Sequence, residues 1–210
     1  MILVGQYDSP FVRRVAIALH LAGTDFEHRP WSVWADAERL AAYNPLRRVP
    51  TLVLDDGTVL VESTVILDVI DDMMGPARAM LPRGGSERMR GLRVSAFAMG
   101  VADKAVSLFY EGVLRDEPLA IWTERCRAQI LETLDMLERE RAALTTPYWL
   151  GANISHADIA IACALRFVQE GLPGLLDASR YPHLIRDANG CESLPAFVAI
   201  QQPLTVTLTR

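Results

Sequence analysis

The sequence predicts a small α/β domain followed by an all-helical bundle, that is, α/β plus all-α. Three observations carry this prediction. Short β-rich runs alternate with helical patterns as far as residue 77; strand signals vanish from residue 86; and breaker-rich segments, Gly75-Pro76 and Leu81-Pro82-Arg83-Gly84-Gly85, separate the two stretches. The expected domains are residues 1–77 and 86–210. A chain of 210 residues, 50% hydrophobic and 22% charged, has enough apolar content for two compact parts, which excludes the disordered and low-complexity classes.

In the first part, Ile2 to Tyr7 is an apolar run read as a buried strand. Asp8-Ser9-Pro10 then starts a helix, because Ser caps and Pro suits the first helical position. Val12, Val15, Ala16, Leu19 and His20 recur at helical spacing up to Gly23, a residue suited to a helix C-terminus. Phe26 to Pro30 reads as a second strand, and Asp36 to Tyr43 as a short helix that Asn44-Pro45 ends. Val49 to Leu54 and Thr58 to Val61 flank Asp55-Asp56-Gly57, a hairpin signal. Glu62-Ser63-Thr64 opens a helix with Val65, Ile66, Val69 and Ile70 on its apolar side. This order of elements is the thioredoxin-like α/β pattern.

The second part reads as helices throughout. Ser86 to Arg115 forms one long helix with a bend near Gly100. Glu117 to Leu144 forms another, on which Trp122, Cys126, Ile130, Leu134 and Leu137 repeat at helical spacing. Ser155 to Gln169 is apolar nearly all round and belongs at the centre of the bundle. Shorter helices follow at Pro182–Ala188 and Leu194–Gln201. Ser155 and Asp158 have the spacing of a capping box with an acid in the third position, so both are read as structural, and His156 lies inside that cap.

Several functions are excluded by charge and spacing. A net charge of −5 and a pI near 5.4 argue against nucleic acid, which needs a basic face. Cys126, Cys163 and Cys191 have no CxxC or Cys/His spacing, and His20, His28, His156 and His183 form no triad or metal pattern; no metal is expected, and the thiols read as core. No apolar run approaches the roughly 20 residues of a membrane span. The opening Met1 to Tyr7 lacks a basic leader with a cleavage site. A cytoplasmic protein without membrane partners is expected.

Four motifs follow one another over nearly the whole chain. They are Ser9-Pro10-Phe11-Val12-Arg13-Arg14-Val15; Asn44-Pro45-Leu46-Arg47-Arg48-Val49-Pro50-Thr51-Leu52; Glu62-Ser63; and Leu150-Gly151 with Ser155-His156-Ala157-Asp158-Ile159. Each is weak alone. Together, in this order, they resemble the cytosolic glutathione transferases, in a bacterial form with serine at the catalytic position. The first motif resembles the family's first strand-to-helix turn, the second its NPxGKVPxL loop, the third its γ-glutamyl-binding pair and the fourth its core-helix start.

The resemblance implies glutathione as cosubstrate, no prosthetic group, and conjugation of the thiol to a small apolar electrophile, a detoxification chemistry. The turn suits that ligand physically. At a helix start, free N–H groups and the positive dipole end stabilise a thiolate, and the Ser9 hydroxyl adds a donor. Some relatives carry Cys at this position and reduce thiols; Ser9 removes that nucleophile. Tyr7 is the rival activator, since other classes use a tyrosine near the first strand's end. Phe11, beside Ser9, joins the glutathione-binding set.

By the same resemblance, Val49 pairs its backbone with the cysteinyl unit and precedes a cis Pro50. Arg48 meets the glycyl carboxylate, for which a guanidinium fork is well suited. Arg47 stands where the family has Gly, so the resemblance leaves the exact path of the loop open there. Glu62 accepts from the γ-glutamyl ammonium group, and Ser63, read also as an N-cap, binds the γ-glutamyl carboxylate. Asp103 lies on the helix from which some members reach the partner subunit's glutathione. Phe11, Phe109, Tyr110 and Phe167 are candidates for the electrophile pocket. A homodimer is implied. The alternatives are a glutathione-dependent isomerase or reductase on the same scaffold, and a non-catalytic interaction protein of the same fold.

Overall fold

The computed structural model describes residues 1–206. It forms two compact units. The first is Met1–Met80 joined by the chain from Leu194 onward; the second is Leu81–Ser193. The last helix and the described residues after it, as far as 206, therefore belong with the α/β unit, whereas the sequence reading assigns residues 86–210 to the helical domain.

The first unit contains β1 (Ile2–Val4), α1 (Pro10–Leu21), β2 (Glu27–Arg29), α2 (Ala37–Ala41), β3 (Thr51–Val53), β4 (Val59–Val61) and α3 (Ser63–Met74). The sheet order is β2-β1-β3-β4, with β1 parallel to β2 and the other pairs antiparallel. The thioredoxin-like order read from sequence holds, but every strand is shorter than its apolar run. β1 ends at Val4 rather than Tyr7, because Gly5 takes φ 127°, a conformation open to glycine, and turns the chain out of the sheet. The hairpin closes at Gly57, with φ 86°, and Asp56 Oδ1 accepts from Thr58 N at 2.9 Å.

α1 is buried from Val12 to Leu19, including Arg13 and Arg14, while His20 is exposed. The reason is cover on more than one side, since α3 packs on it and so does α8 (Pro195–Ala199). On α3 the buried stripe is Ile66, Leu67 and Ile70. Val65, read as inward-facing, is exposed, and Leu67 takes its place.

The second unit is built from α4 (Gly85–Leu114), α5 (Ala120–Ala142), α6 (His156–Gly171) and α7 (Pro182–Glu192). α4 runs unbroken through Gly100. α6 is buried along almost its whole length and packs on α4 and α7, as its apolar circumference requires. Cys126, Cys163 and Cys191 are buried, and burial pushes the Cys191 thiol up to about 12. Among the described residues no helix is long and apolar enough to cross a membrane, and no His, Cys, Asp and Glu side chains gather as a metal set.

Candidate active site at one end of the sheet

One row of the sheet brings three separate motifs together. Val4 pairs with Thr51, and Thr51 pairs with Val61. The chain beyond this row is Gly5 to Ser9 after β1, Val49-Pro50 before β3, and Glu62-Ser63 after β4. Two strand spacings make this row about 10 Å wide. An extended tripeptide has about the same length.

Ser9 caps α1. Its backbone is extended (φ −70°, ψ 123°), its Oγ accepts from Val12 N at 3.4 Å, and Pro10 follows at the first helical position. Tyr7, three residues beyond the end of β1, stacks flat on His28 with ring centroids 3.8 Å apart. His28 in turn meets Gly5 O through Nε2 at 2.8 Å. Burial raises the Tyr7 phenol above its ordinary value. Phe11 is half-buried.

Gly5 joins the turn to the second motif. A Cβ at Gly5 would lie 2.8 Å from Val49 Cβ and 2.6 Å from Val12 Cγ2, so only glycine lets the end of β1 approach Val49 this closely. The Val49–Pro50 peptide is cis. The loop before it is organised by Asn44, which the sequence marks as a helix end and as the first residue of the loop motif, without assigning its side chain a role. Asn44 Nδ2 donates to Arg48 O at 2.9 Å and to Thr51 Oγ1 at 3.2 Å, and its Oδ1 accepts from Leu46 N at 3.0 Å. Arg47 adopts φ 52°, the left-handed region glycine would favour, so the loop keeps a glycine conformation with an arginine in it. Its guanidinium meets Glu38 at 3.0 Å. The Arg48 side chain is exposed.

At the third motif, Ser63 is the first residue of α3 and the cap position falls on Glu62, which makes no side-chain cap bond. The N-cap reading of Ser63 is thus corrected by one position. Ser63 still sits where helix N–H groups lack intrahelical partners. Glu62 has φ 71° and ψ 116°, a strained backbone for a residue with a Cβ, of a kind that concentrates at functional sites. Ser63 Oγ lies 3.5 Å from Glu62 Oε1 and accepts from Arg14 Nη1 at 3.5 Å.

The other predicted residues lie elsewhere. Asp158 Oδ2 accepts from Ser155 N at 2.9 Å and Ser155 Oγ at 2.6 Å, and Oδ1 accepts from Trp149 N at 2.9 Å, all at the start of α6. Asp103 pairs with Lys104 at 2.8 Å. Phe109 packs edge-on against Tyr110 and against the buried Phe167. Phe109 also lines a cavity of about 500 Å³ within the helical unit, together with Leu108, Val113, Pro118 and Leu172.

The comparisons with known proteins agree with this architecture. The glutathione S-transferase N-terminal domain matches residues 8–73 and the C-terminal domain of the same family matches residues 120–186. The uncharacterized GST-like protein YibF of Escherichia coli is 32% identical over 97% of this chain and 99% of its own length. A glutathione S-transferase from Methylobacterium radiotolerans, in complex with glutathione sulfonate, superimposes with a TM-score of 0.91 at 27% identity, covering 100% of this chain and 98% of that one. A glutathione transferase family member from Pseudomonas fluorescens, with bound S-(propanoic acid)-glutathione, gives 0.83 at 30% identity, covering 96% of this chain and 99% of that one. With both domains matched, the chain belongs to the cytosolic glutathione transferase superfamily.

Proposed function

We propose that the protein is a glutathione transferase in which Ser9 activates the thiol of bound glutathione for attack on a small apolar electrophile. The observation that carries this reading is the convergence of Ser9, Val49 and Ser63 beyond the row Val4–Thr51–Val61. In the proposed pose the cysteinyl unit pairs with the Val49 backbone, which directs its sulfur to the start of α1. The γ-glutamyl carboxylate meets the N-terminus of α3 at Ser63, its ammonium group meets Glu62, and the exposed Arg48 answers the glycyl carboxylate.

The thiol proton leaves to solvent, and the thiolate is held by the Ser9 hydroxyl and the positive end of α1. The thiolate then forms a C–S bond to the electrophilic carbon, and the leaving group departs with the bonding electron pair. The reaction asks for no metal or prosthetic group. Ser9 is favoured over Tyr7 because the Tyr7 ring is held against His28 and burial raises its pKa, which makes its phenol a weaker donor. A cytoplasmic homodimer is part of the same proposal, by family.

Retention on immobilised glutathione, followed by turnover with an activated aryl chloride, tests the reading. Retention with conjugation supports it. Retention without any turnover over a panel of electrophiles favours a glutathione-dependent isomerase or reductase. Neither retention nor turnover favours an interaction protein.

A further inference from the structure

The segment that follows α8 lies along the turn that presents Ser9. Arg13, buried in the first turn of α1, donates from Nε to Ile200 O at 2.8 Å and from Nη2 to Phe197 O at 3.2 Å, with its guanidinium 5.6 Å from the Phe197 ring centre. Two further anchors come from the irregular chain beyond. Gln202 Oε1 accepts from Tyr7 N at 3.1 Å, and Asp8 Oδ2 accepts from Thr205 N at 3.1 Å and Thr205 Oγ1 at 3.4 Å. Residues 7, 8 and 13 are thus each tied to a segment nearly 200 residues away in sequence. Ser9 lies between them, held locally by Ser9 N to Gln6 O at 3.2 Å and Arg13 N to Ser9 O at 2.9 Å.

We propose that Gln202 and Thr205 are positioning residues for the thiol-activating group, so that the chain after α8 completes the Ser9 site. The inference rests on the reading of Ser9 given above. Its physical basis is a division of labour along the segment. Phe197 and Ile200 are buried and supply the packing, whereas Gln202 is half-buried and Thr205 exposed. Hydrogen bonds at such accessible positions add little to stability, because water can replace them. What they can do is hold the Tyr7 backbone N–H and the Asp8 carboxylate, on the two residues before Ser9, in one arrangement, which fixes the direction of the Ser9 hydroxyl. Catalysis depends steeply on such placement: a misplacement of about 1 Å can cost roughly a hundredfold in rate.

The test compares wild type with Gln202→Met, Thr205→Pro and the double variant. Met keeps the length of Gln without the acceptor, and Pro removes the N–H that Asp8 accepts. The measurements are the ultraviolet titration of the bound glutathione thiol, kcat and KM with glutathione and a chlorodinitrobenzene, and the melting temperature. The expected result for the double variant is a roughly tenfold fall in kcat and a thiol pKa raised by about one unit. KM for glutathione and the melting temperature should stay near wild type, and each single variant should fall between. Wild-type kcat and thiol pKa in the double variant overturn the inference while leaving Ser9 in place. A loss of activity matched by equal losses of glutathione affinity and melting temperature also overturns it, since that is structural damage alone. If wild type itself leaves the glutathione thiol at its free value, the Ser9 reading fails first, and this inference falls with it.

Discussion

Arg14, buried in α1, donates to Ser63 Oγ at the first residue of α3. A guanidinium has only donors, so this contact occupies a lone pair of the Ser63 hydroxyl and leaves its proton free to donate outward. In the structure the hydroxyl faces Glu62 Oε1, 3.5 Å from its Oγ; in the proposed complex it donates to the γ-glutamyl carboxylate. A buried positive charge behind a helix N-terminus also favours an anion in front of it.

Ser63→Ala is therefore expected to weaken glutathione binding roughly ten- to a hundredfold, the loss of a hydrogen bond to a charged group. The variant also takes from the buried Arg14 one of its acceptors, so the melting temperature should fall as well, but by less than the loss of affinity. Calorimetric titration beside thermal melts separates the two. An unchanged dissociation constant would move the γ-glutamyl site elsewhere.

Ser9→Ala should spare binding and injure catalysis. The cap contact at 3.4 Å is long, so the stability cost should lie near the low end of the usual range, about 0.5–1 kcal/mol. Loss of the donor that holds the thiolate should raise the thiol pKa and lower kcat at neutral pH, roughly tenfold for each unit by which that pKa rises. Full turnover and an unshifted thiol pKa in the mutant would transfer the role to Tyr7, with Tyr7→Phe the next variant.

Gly5→Ala tests the approach of β1 to Val49. With φ 127° and Val49 Cβ 2.8 Å from the added methyl, the substitution should destabilise the fold by about 1–3 kcal/mol. The displaced Val49 backbone should also weaken glutathione binding in the fraction that folds. Unaltered affinity in a less stable protein would show that Val49 is not a binding residue.

Ser155 and Asp158 are expected to affect stability only. Ser155→Ala should cost about 0.5–2 kcal/mol. Asp158→Ala should cost more, since it leaves both Ser155 N and Trp149 N without their acceptor in a buried place. Denaturant unfolding gives the difference. A mutant as stable as wild type but inactive would contradict the structural assignment.

Glu138 on α5 caps α7 from outside its own helix. Its carboxylate accepts from His183 N at 3.0 Å, His183 Nδ1 at 2.6 Å and Leu184 N at 2.9 Å. Burial alone would raise its pKa, but these donors outweigh burial and hold the carboxyl below its ordinary 4.5. A carboxylate depressed on folding adds stability that is fully present above its unfolded pKa and is lost as pH falls through the folded one. Glu138→Gln should accordingly lower stability by about 1.5–3 kcal/mol at neutral pH. The gap to wild type should close on acidification below the 4.5 of the unfolded carboxyl. Urea unfolding over that pH range checks this, and a gap independent of pH would remove the charge from the explanation.

What the sequence determined by itself is local. Helix starts at Ser9-Pro10 and Ser155, the Asp-Gly hairpin, and the burial of α6 all follow from residues within a few positions of one another, because caps, turns and amphipathic faces act at that range. Most of the candidate site was legible for the same reason, since its motifs sit at element ends. The tertiary structure alone decided which faces are covered and by what. No local pattern marks Arg13 for burial, because its acceptors, Phe197 O and Ile200 O, lie more than 180 residues away. Nor does any assign the chain after Leu194 to the first unit, give α7 its cap from Glu138, or exchange Val65 for Leu67 on the buried face of α3. Even the meeting of Ser9, Val49 and Ser63 depends on the register that pairs Val4 with Thr51 and Thr51 with Val61. A shift of one residue would turn each strand's apolar set to the opposite face, so burial of the whole unit selects the register and, with it, the site.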